Sequence, residues 1–389
     1  MSADTDIAIV GGGPVGAALS LALRHTDLRV TVLEARSEHA SDPRPIALSH
    51  GSRLLLQRLG AWQAIETTTA PTPISNIHVS QRGSFGRVAI SAADAAVPAL
   101  GYVLDYHAIS AALADAAKYA SSDTGADYRE GARVTSVHRD GDIQRIAYSR
   151  DGTAATLTAR LAVVADGGDI EGLAALKSVD YAQHALTARV RTALPHQHVA
   201  YERFTPEGPL ALLPFGDEMA LVWTLTPARA AELQAADDKV FLAALRAAFG
   251  TRLGDFNAVT QRACYPLTLR YSATATAPGV ITIGNAAQTL HPVAGQGLNL
   301  GLRDAWELAQ LLRAIPAQAL ANQEATRAYR VRRRFDRNAT VAATHGLVRL
   351  FSNDFFLFNV LRGAGMTLLG NLAPARDLLA RRMIFGIRG

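Results

Sequence analysis

The chain has 389 residues, 49% hydrophobic and 19% charged, the composition of an ordinary globular protein long enough for two domains. Its single cysteine, Cys264, excludes an internal disulfide and a zinc site built from several cysteines, and favours a reducing compartment. Residues 1–6 carry two aspartates and no basic segment, unlike a signal peptide, so we predict a cytoplasmic protein.

The first predicted elements form a β-α-β unit around a glycine-rich turn. Asp6–Val10 is typical of a buried strand, Ala17–Leu23 favours a helix, and Arg29–Leu33 predicts a second strand. Gly11-Gly12-Gly13-Pro14-Val15-Gly16 joins the first strand to the helix, and Glu34 follows the second strand, 18 positions after Gly16. This order of strand, G-x-G-x-x-G, helix, strand and acid is the signature of a dinucleotide-binding unit.

Each residue of this signature has a predicted role. Gly11 permits the tight turn, Gly13 lets the backbone approach a pyrophosphate, and Gly16 allows the helix to pack on the strand. Glu34 is placed to bind a ribose hydroxyl. NAD and FAD both use the motif, so the motif alone leaves the cofactor open.

The middle of the chain predicts further short strands and two helices. Alternating stretches between Tyr181 and Leu269 indicate an antiparallel sheet. The other elements are an alanine-rich helix over Tyr106–Tyr119, strands over Arg133–Arg139, Gln144–Ser149 and Ala154–Thr158, a separate buried strand over Leu161–Ala165, and a helix over Asp237–Phe249.

A second nucleotide signal lies between Gly284 and Gly301. The run Val280–Ile283 predicts a strand, and a helix is predicted to begin near Gln296. Gly295 and Gly297 remove side chains where that helix starts, which lets backbone N–H groups approach a flat, electron-rich ligand. We therefore expect the ligand to lie between two interleaved domains.

Three separated motifs resemble those of the FAD-dependent aromatic hydroxylases, the p-hydroxybenzoate-hydroxylase-like flavoproteins. They are Gly11–Gly16, Val163–Gly167 and Gly284–Gly301. Further stretches are similar to the ubiquinone-biosynthesis branch, closest to the 2-octaprenyl-6-methoxyphenol hydroxylases. These are Asn285, Gln288 and His291-Pro292, together with Tyr201–Thr205, Gly208–Pro214 and Pro374–Asp377.

The resemblance implies an α/β fold in which a Rossmann-like FAD-binding domain is interleaved with an antiparallel-sheet substrate domain and followed by a helical C-terminus. We expect the FAD-binding domain to comprise residues 1–75, 101–178 and 271–315. Residues 76–100 and 179–270 would form the substrate domain, and residues 316–389 the C-terminal helical region.

The resemblance also implies non-covalent FAD, with NADH or NADPH as co-substrate. It assigns the pyrophosphate to the glycines Gly11, Gly13 and Gly16, and the adenosine ribose to Glu34. The other implied contacts are Arg44 beside the pyrophosphate, Asp166-Gly167 at both FAD and NAD(P)H, Asn285 at the ribityl or pyrophosphate region, and Pro292, Gly295, Gly297, Leu298 and Asn299 around the isoalloxazine. Asn285 departs from the family's usual Asp, and the family's Ser and Arg after Asp166-Gly167 are absent.

The implied activity is hydroxylation of a polyprenylated methoxyphenol in ubiquinone biosynthesis, with NAD(P)H and O2 and through a flavin C4a-hydroperoxide. A base near the phenol would assist, and His291 and His50 are candidates by location, although either could simply satisfy a loop hydrogen bond. Leu213, Pro214 and Trp223 are candidates for an apolar substrate cavity, and ordinary core packing would account for them equally.

Other activities remain open on sequence grounds. A hydroxylase acting on a different ring carbon of the same pathway fits equally well, and a non-catalytic FAD-binding assembly protein is a different class. A halogenase is disfavoured because Lys118, Lys177 and Lys239, the three lysines, lie outside the flavin motifs.

Arginines are concentrated near the C-terminus, at Arg327, Arg330, Arg332, Arg333, Arg334 and Arg337. They form either a solvated helix face or a surface attracted to anionic lipid or to an acidic partner in a ubiquinone-pathway complex. The apolar stretch Phe355–Leu372 is too interrupted to span a bilayer, so we expect peripheral contact at the inner membrane. No recognised nucleic-acid module surrounds the arginines, so no nucleic-acid partner is expected.

Overall fold

The computed structural model describes residues 3–38, 42, 44–83, 86–124, 126–167, 170–173, 176–272, 276–289, 296–333, 367–368 and 370–386. The predicted site residues His291, Pro292 and Gly295 lie outside these ranges, as do Arg334 and Arg337. Among the described residues, no helix is long and apolar enough to cross a membrane.

The described residues form strands, helices and short 3₁₀ turns, taken here in chain order. The first are β1 (Thr5–Val10), α1 (Pro14–Leu23), β2 (Val30–Leu33), β3 (Pro45–Ser49), α2 (His50–Leu59), α3 (Trp62–Thr68), β4 (Thr72–Ile74), β5 (Asn76–Gln81), β6 (Arg87–Ser91), β7 (Gly101–Asp105) and α4 (Tyr106–Thr124). The next are β8 (Asp127–Arg129), β9 (Arg133–Asp140), β10 (Ile143–Arg150), β11 (Thr153–Val164), β12 (Lys177–Thr192), β13 (Val199–Thr205), β14 (Gly208–Phe215), β15 (Glu218–Leu225), α5 (Pro227–Ala235) and α6 (Asp238–Phe249). The last are β16 (Phe256–Tyr271), β17 (Thr276–Ala277), β18 (Val280–Thr282), β19 (Gln288–Thr289), α7 (Gln296–Leu312) and α8 (Ala373–Phe385), with 3₁₀ turns at Gly284–Ala286 and Ala317–Ala321 and helical residues 323–333.

The first sheet contains the β-α-β unit predicted at the N-terminus. Its strand order is β17-β18-β11-β1-β2-β8, with β10 and β9 continuing from β11. The central strands β2, β1, β11 and β18 run parallel, and Ile7, Ile9, Leu161, Val163 and Ile281 are fully buried beneath α1 and α7. Parallel strands covered on both faces are apolar in nearly every position, which explains the continuous hydrophobic runs in the sequence.

The second sheet is large and mostly antiparallel, in the order β19-β16-β12-β15-β14-β13-β5-β6. One face packs against α5 and α6 through a core that includes Leu212, Trp223 and Phe241. The opposite face contributes Ala200 and Phe204 to a different core, which α8 completes through Ala380 and Ile384. A small third sheet, β3-β7-β4, connects the two large ones. The predicted α/β class with an interleaved antiparallel sheet and a helical C-terminus is confirmed.

Some predicted elements differ from the structure. Ala154–Thr158 and Leu161–Ala165 were expected to be two strands, but β11 is continuous over 12 residues. Ala159 explains the continuity, because it pairs with Gln144 of β10 and also with Thr5 of β1. Helix α2 begins at His50, where the Ser49 hydroxyl accepts a hydrogen bond from the Ser52 N–H (3.2 Å) and caps the helix.

Candidate cofactor and substrate site

The three glycine-rich motifs meet at one edge of the first sheet. Parallel β1, β11 and β18 end side by side, so the loops that follow them converge. Gly11 has φ +97°, and a Cβ there would lie 2.8 Å from the Asp166 amide nitrogen. A Cβ on Gly167 would contact the Asn285 Cβ at 3.4 Å. Residues from all three motifs therefore form one site, although they are far apart in the sequence.

Glycines also let the helices of this site pack closely. A Cβ on Gly16 would collide with the Gly11 carbonyl oxygen, so only glycine lets α1 approach β1 this closely. Val15 of α1 fits against Gly301 of α7, where a Cβ would lie 2.7 Å from its methyl group, and against Gly284. The first and last glycines of the third motif, Gly284 and Gly301, thus serve helix packing.

The N-terminus of α1 presents backbone N–H groups without a competing side chain. Gly13 is the N-cap with φ −61° and ψ −178°, and no side-chain cap is made there. The nearest atom to a Cβ on Gly13 would be a guanidinium nitrogen of Arg36 at 3.7 Å, so there is space above this glycine. A helix N-terminus with open space and a nearby arginine suits an anion such as a pyrophosphate.

Glu34 lies at the end of β2, as predicted, and its carboxylate is buried. One oxygen accepts the Gly12 N–H (2.6 Å), and the other accepts the backbone N–H (3.0 Å) and the Nε–H (2.9 Å) of Arg36. An ionised carboxylate offers about four acceptor positions, so three protein donors leave room for one ribose hydroxyl.

Arg36 is a site residue that the sequence reasoning missed. Its hydrogen bond to Glu34 raises the pKa of its guanidinium, which is already permanently charged. A signal was available, because Arg36 lies two positions after Glu34 and extended residues two apart face the same side.

Arg44 lies near Arg36, and the charges of both act on the Tyr106 hydroxyl. Its guanidinium pairs with Asp42 (2.5 Å) and lies 5.6 Å from the Tyr106 ring centroid and 5.4 Å from that of Tyr265. Tyr265 belongs to β16 of the second sheet, so Arg44 lies where the two sheets meet.

Asn299, predicted near the isoalloxazine, is buried and joins α7 to the β3–α2 connection. Its Oδ1 accepts the Ser49 N–H (2.9 Å), and its Nδ2–H donates to the Ala47 carbonyl (2.9 Å). The side chain thus positions the start of α7, while Gly297 has no neighbouring atom within 4 Å of where a Cβ would be. Leu298 is partly buried and packs against the hydrophobic core between the first sheet and helices α1 and α7.

A buried ion pair holds the turn that carries Asn285. Asp304 of α7 accepts hydrogen bonds from Gln288 Nε2 (2.9 Å) and from the Gly284 N–H (3.3 Å), and it pairs with Arg333 (2.6 Å). Arg333 is 5% exposed. The prediction that Arg333 belongs to a surface-facing basic stripe is therefore wrong, because this charge is committed to Asp304 inside the protein.

An apolar pocket lies between the start of α7, the second sheet and α8. Gln296 and Asn299 of α7 form one side of it. The apolar lining includes Leu48, Ile74, Ile77, Ile90, Met383 and Ile384. The pocket therefore adjoins the helix N-terminus that the third motif predicts to face the flavin.

The three predicted substrate residues do not share a face of the sheet. Leu213 packs on the pocket side with the core that includes Ile90 and Ile384. Trp223 is 1% exposed on the other side, with its ring 6.5 Å from that of Phe241 of α6. Pro214 follows Leu213 directly in β14, so it also points away from the pocket. Leu213 alone lies on the pocket side, in the same core as the lining residues Ile77 and Ile90, and the assignment of Trp223 and Pro214 is corrected.

His50, one of two predicted bases, is the first residue of α2 and is buried beside Phe385 of α8, with ring centroids 6.3 Å apart. Burial, followed by the charge of Arg53, lowers the pKa of its imidazole. Its Nδ1 has no hydrogen-bond partner among the described residues. It packs between two helices, and it is absent from the pocket lining that the described residues form.

The arrangement fits a dinucleotide such as FAD. The open Gly13, the uncapped start of α1 and the free acceptor position of Glu34 match the pyrophosphate and ribose of its adenosine half. The N-terminal end of α7 borders the apolar pocket through Gln296 and Asn299, which gives a flat ring system an apolar neighbour.

Comparison with known proteins agrees with this geometry. The chain matches the FAD binding domain family over residues 4–343. It is 32% identical to the ubiquinone hydroxylase UbiL of Rhodospirillum rubrum, over 97% of this chain and 88% of that protein. It is 30% identical to the 3-demethoxyubiquinol 3-hydroxylase of Escherichia coli, over 93% of this chain and 94% of that protein.

Solved structures share the fold. The p-nitrophenol 4-monooxygenase PnpA from Pseudomonas putida superposes with a TM-score of 0.75 at 19% identity, over 98% of both chains. The predicted resemblance and the predicted FAD cofactor are confirmed. The chain belongs to the FAD binding domain family and is an FAD-dependent monooxygenase of the aromatic-hydroxylase type.

Proposed function

We propose that this protein hydroxylates the ring of a polyprenylated methoxyphenol in ubiquinone biosynthesis. The observation that carries the proposal is the apolar pocket beside the start of α7, since a lipid-tailed phenol needs an apolar cavity next to the flavin. The names of relatives at 30–32% identity over nearly the whole chain support the same pathway. The ring carbon and the length of the prenyl chain are left open by this proposal.

We further propose how the chain's own residues serve this reaction. Gly11, Gly13, Gly16, Glu34, Arg36, Arg44, Asp166, Gly167 and Asn285 would hold the cofactor, and residues 296–299 would meet its ring. When bound and reduced by NAD(P)H, FAD supplies the activated oxygen. The N–H groups at the start of α7 would stabilise negative charge that develops on the ring system.

The pocket lining has a second proposed task. Isoleucine, leucine and methionine side chains from the second sheet, the third sheet and α8 would exclude water from the space beside the flavin. Water exclusion favours oxygen transfer over loss of hydrogen peroxide. His291, outside the described residues, and His50 remain proposed bases only.

The direct test is substrate-dependent turnover. FAD-loaded protein is supplied with NAD(P)H, oxygen and a 2-polyprenyl-6-methoxyphenol, and NAD(P)H oxidation, peroxide and product mass are followed. We expect oxidation to accelerate with the phenol and a product one oxygen heavier. Product from a different ring isomer would shift the assignment to another hydroxylase of the pathway. If no phenol changes the rate of NAD(P)H oxidation and peroxide is the sole product, the result would instead favour an assembly protein.

We also propose peripheral contact with anionic lipid through helical residues 323–333. Arg327 and Arg330 are exposed there, and Val331 is 68% exposed, whereas Arg332 pairs with Glu307. We expect flotation with anionic liposomes at low salt that is lost at high salt, because such attraction is screened. Arg327→Glu with Arg330→Glu should abolish flotation, whereas reversal of the exposed, distant Arg150 should not. If all variants float equally, or if the wild-type protein does not float at low salt, these arginines form only a solvated helix face.

A further inference from the structure

A row of partly exposed side chains crosses the second sheet on the face opposite α5 and α6. Five neighbouring strands contribute directly paired residues to it, namely Val79, Glu202, Ala211, Val222 and Thr187. Glu202 is the ionisable member of this row. Its directly paired neighbours, Val79 and Ala211, carry apolar side chains.

The neighbours of Glu202 along β13 fix the direction of its side chain. Arg203 donates to the Ala248 carbonyl of α6 (3.2 Å), and the Tyr201 ring lies 5.3 Å from that of Phe249 of α6. Successive side chains of a strand point to opposite faces, so Glu202 points away from α6. It shares its face with Ala200 and Phe204, which pack in the core completed by α8.

The exposure of this row is local. On the same face, Ala200 is 3% exposed, Phe204 4% and Thr224 1%. The row is therefore more exposed than the residues on both sides of it, and these five residues are called the trough below.

The trough adjoins the apolar pocket. Glu202 pairs with Ala211, and Leu213 lies two residues after Ala211 on the same face of β14, so Leu213 is the diagonal neighbour of Glu202. Diagonal neighbours on one face lie about 7–8 Å apart, which a phenol ring spans. Leu213 packs in the same core as Ile77 and Ile90, and both isoleucines line the pocket.

The chemistry of Glu202 suits a ligand hydroxyl. No hydrogen bond or neighbouring charge among the described residues contributes to the pKa shift of its carboxyl. Burial raises the pKa of the Glu202 carboxyl to about 7. The group is therefore divided between its neutral and ionised forms near neutral pH, as an efficient acid or base requires.

Other charged groups on this face lie away from β13. Arg189 pairs with Asp105 (2.5 Å) and Arg191 with Glu218 (2.9 Å), both arginines on β12, three strands from β13. Tyr265, next to Arg44, lies farther still, on β16. In α8, the helix packed on this face, Ala380 and Ile384 are buried, and Asp377, Arg381 and Arg382 are exposed to solvent. Arg376 of α8 is partly buried and pairs with Asp94 (3.7 Å).

We propose that Glu202 binds the phenolic hydroxyl of the substrate and accepts its proton. This assignment rests on the proposed function, since it requires a phenol in the trough. In the step, the phenol O–H bond breaks, an O–H bond forms on a Glu202 carboxylate oxygen, and the negative charge passes to the phenol oxygen. The ring becomes more electron-rich and so more reactive toward electrophilic oxygen.

The first test compares Glu202→Gln with Glu207→Gln, a control on the turn of the same hairpin. We expect the wild-type kcat/KM for the phenol to rise with pH through about 7, because the carboxylate form of the free enzyme is the base. Glu202→Gln should lower this kcat/KM about 100-fold and flatten the profile, and the control should match wild type. Equal FAD content and melting temperature show that the variants are folded.

A second measurement is independent of turnover. The affinity of the oxidised, FAD-loaded protein for a short-chain alkylphenol is titrated by flavin absorbance from below to above pH 7. The ionised carboxylate accepts the stronger hydrogen bond, so wild-type affinity should increase with pH and that of Glu202→Gln should not. Glu202→Gln with wild-type rate, pH profile and affinity overturns the proposal. If wild-type binding depends on pH but no hydroxylated product forms, the Glu202 contact is retained and the proposed function is rejected.

Discussion

Gly16→Ala is expected to yield protein that neither binds FAD nor keeps its native stability. The added Cβ would collide with the Gly11 carbonyl oxygen, and both glycines lie where α1 meets the loops after β1 and β11. Relief of the collision moves α1 and separates Gly11 from Asp166. Overpacking of this kind costs about 1–3 kcal/mol of the free energy of unfolding. The ratio of FAD to protein and the melting temperature measure the two effects.

Gly13→Ala is the matched control. Its backbone angles are accessible to alanine, and the nearest atom to the new methyl group is 3.7 Å away. The cofactor-free protein should therefore melt as wild type does, while FAD affinity falls at least about tenfold, or 1.4 kcal/mol, because the methyl group occupies the pyrophosphate approach. Normal FAD affinity in Gly13→Ala would contradict this placement of the cofactor. Wild-type stability in Gly16→Ala would contradict the packing.

Arg333→Met is expected to destabilise the protein by about 3–5 kcal/mol, since it leaves the buried Asp304 carboxylate without its charge partner. Asp304 also accepts from Gln288 and the Gly284 N–H, so the turn that carries Asn285 should loosen and FAD affinity should fall. Urea unfolding and FAD titration provide the two readouts.

Arg330→Met tests whether removal of any arginine charge from this helix causes a similar loss of stability. Arg330 is exposed on the same helix, three positions earlier, so its replacement should change stability by no more than about 0.5 kcal/mol. Asp304→Asn combined with Arg333→Met should recover part of the loss, because no unpaired charge remains buried. Equal stability of the Arg333 and Arg330 variants would rule out the buried pair as a determinant of the fold.

The cofactor-binding edge was largely predictable from sequence. Strand, glycines and acid follow one another within 30 residues, and the geometry of a β-α-β unit is set locally. The convergence of Gly11, Asp166 and Asn285 follows from the parallel order of β1, β11 and β18. That order was available only through the family resemblance, since no local pattern reveals which strands are neighbours.

The substrate side was less predictable, because it depends on which face of a strand meets which layer. Leu213 and Trp223 are both apolar strand residues, yet only the pairing register shows that they lie on opposite faces. Glu202 was not predicted as a site residue for the same reason, since a single acid in a strand is ordinarily solvent-exposed. Arg333 appeared to belong to a basic surface stripe, and only the tertiary contact with Asp304 reveals its burial.

The most direct test of the account is the origin of the oxygen atom in the product. FAD-loaded protein reduced by NAD(P)H is mixed with the polyprenyl methoxyphenol under isotopically heavy dioxygen in ordinary water, and the product is analysed by mass spectrometry. Flavin-dependent hydroxylation predicts one heavy oxygen atom on the aromatic ring. It predicts none in the parallel reaction with heavy water and ordinary dioxygen. A product labelled from water, or peroxide release without any ring hydroxylation, would contradict it.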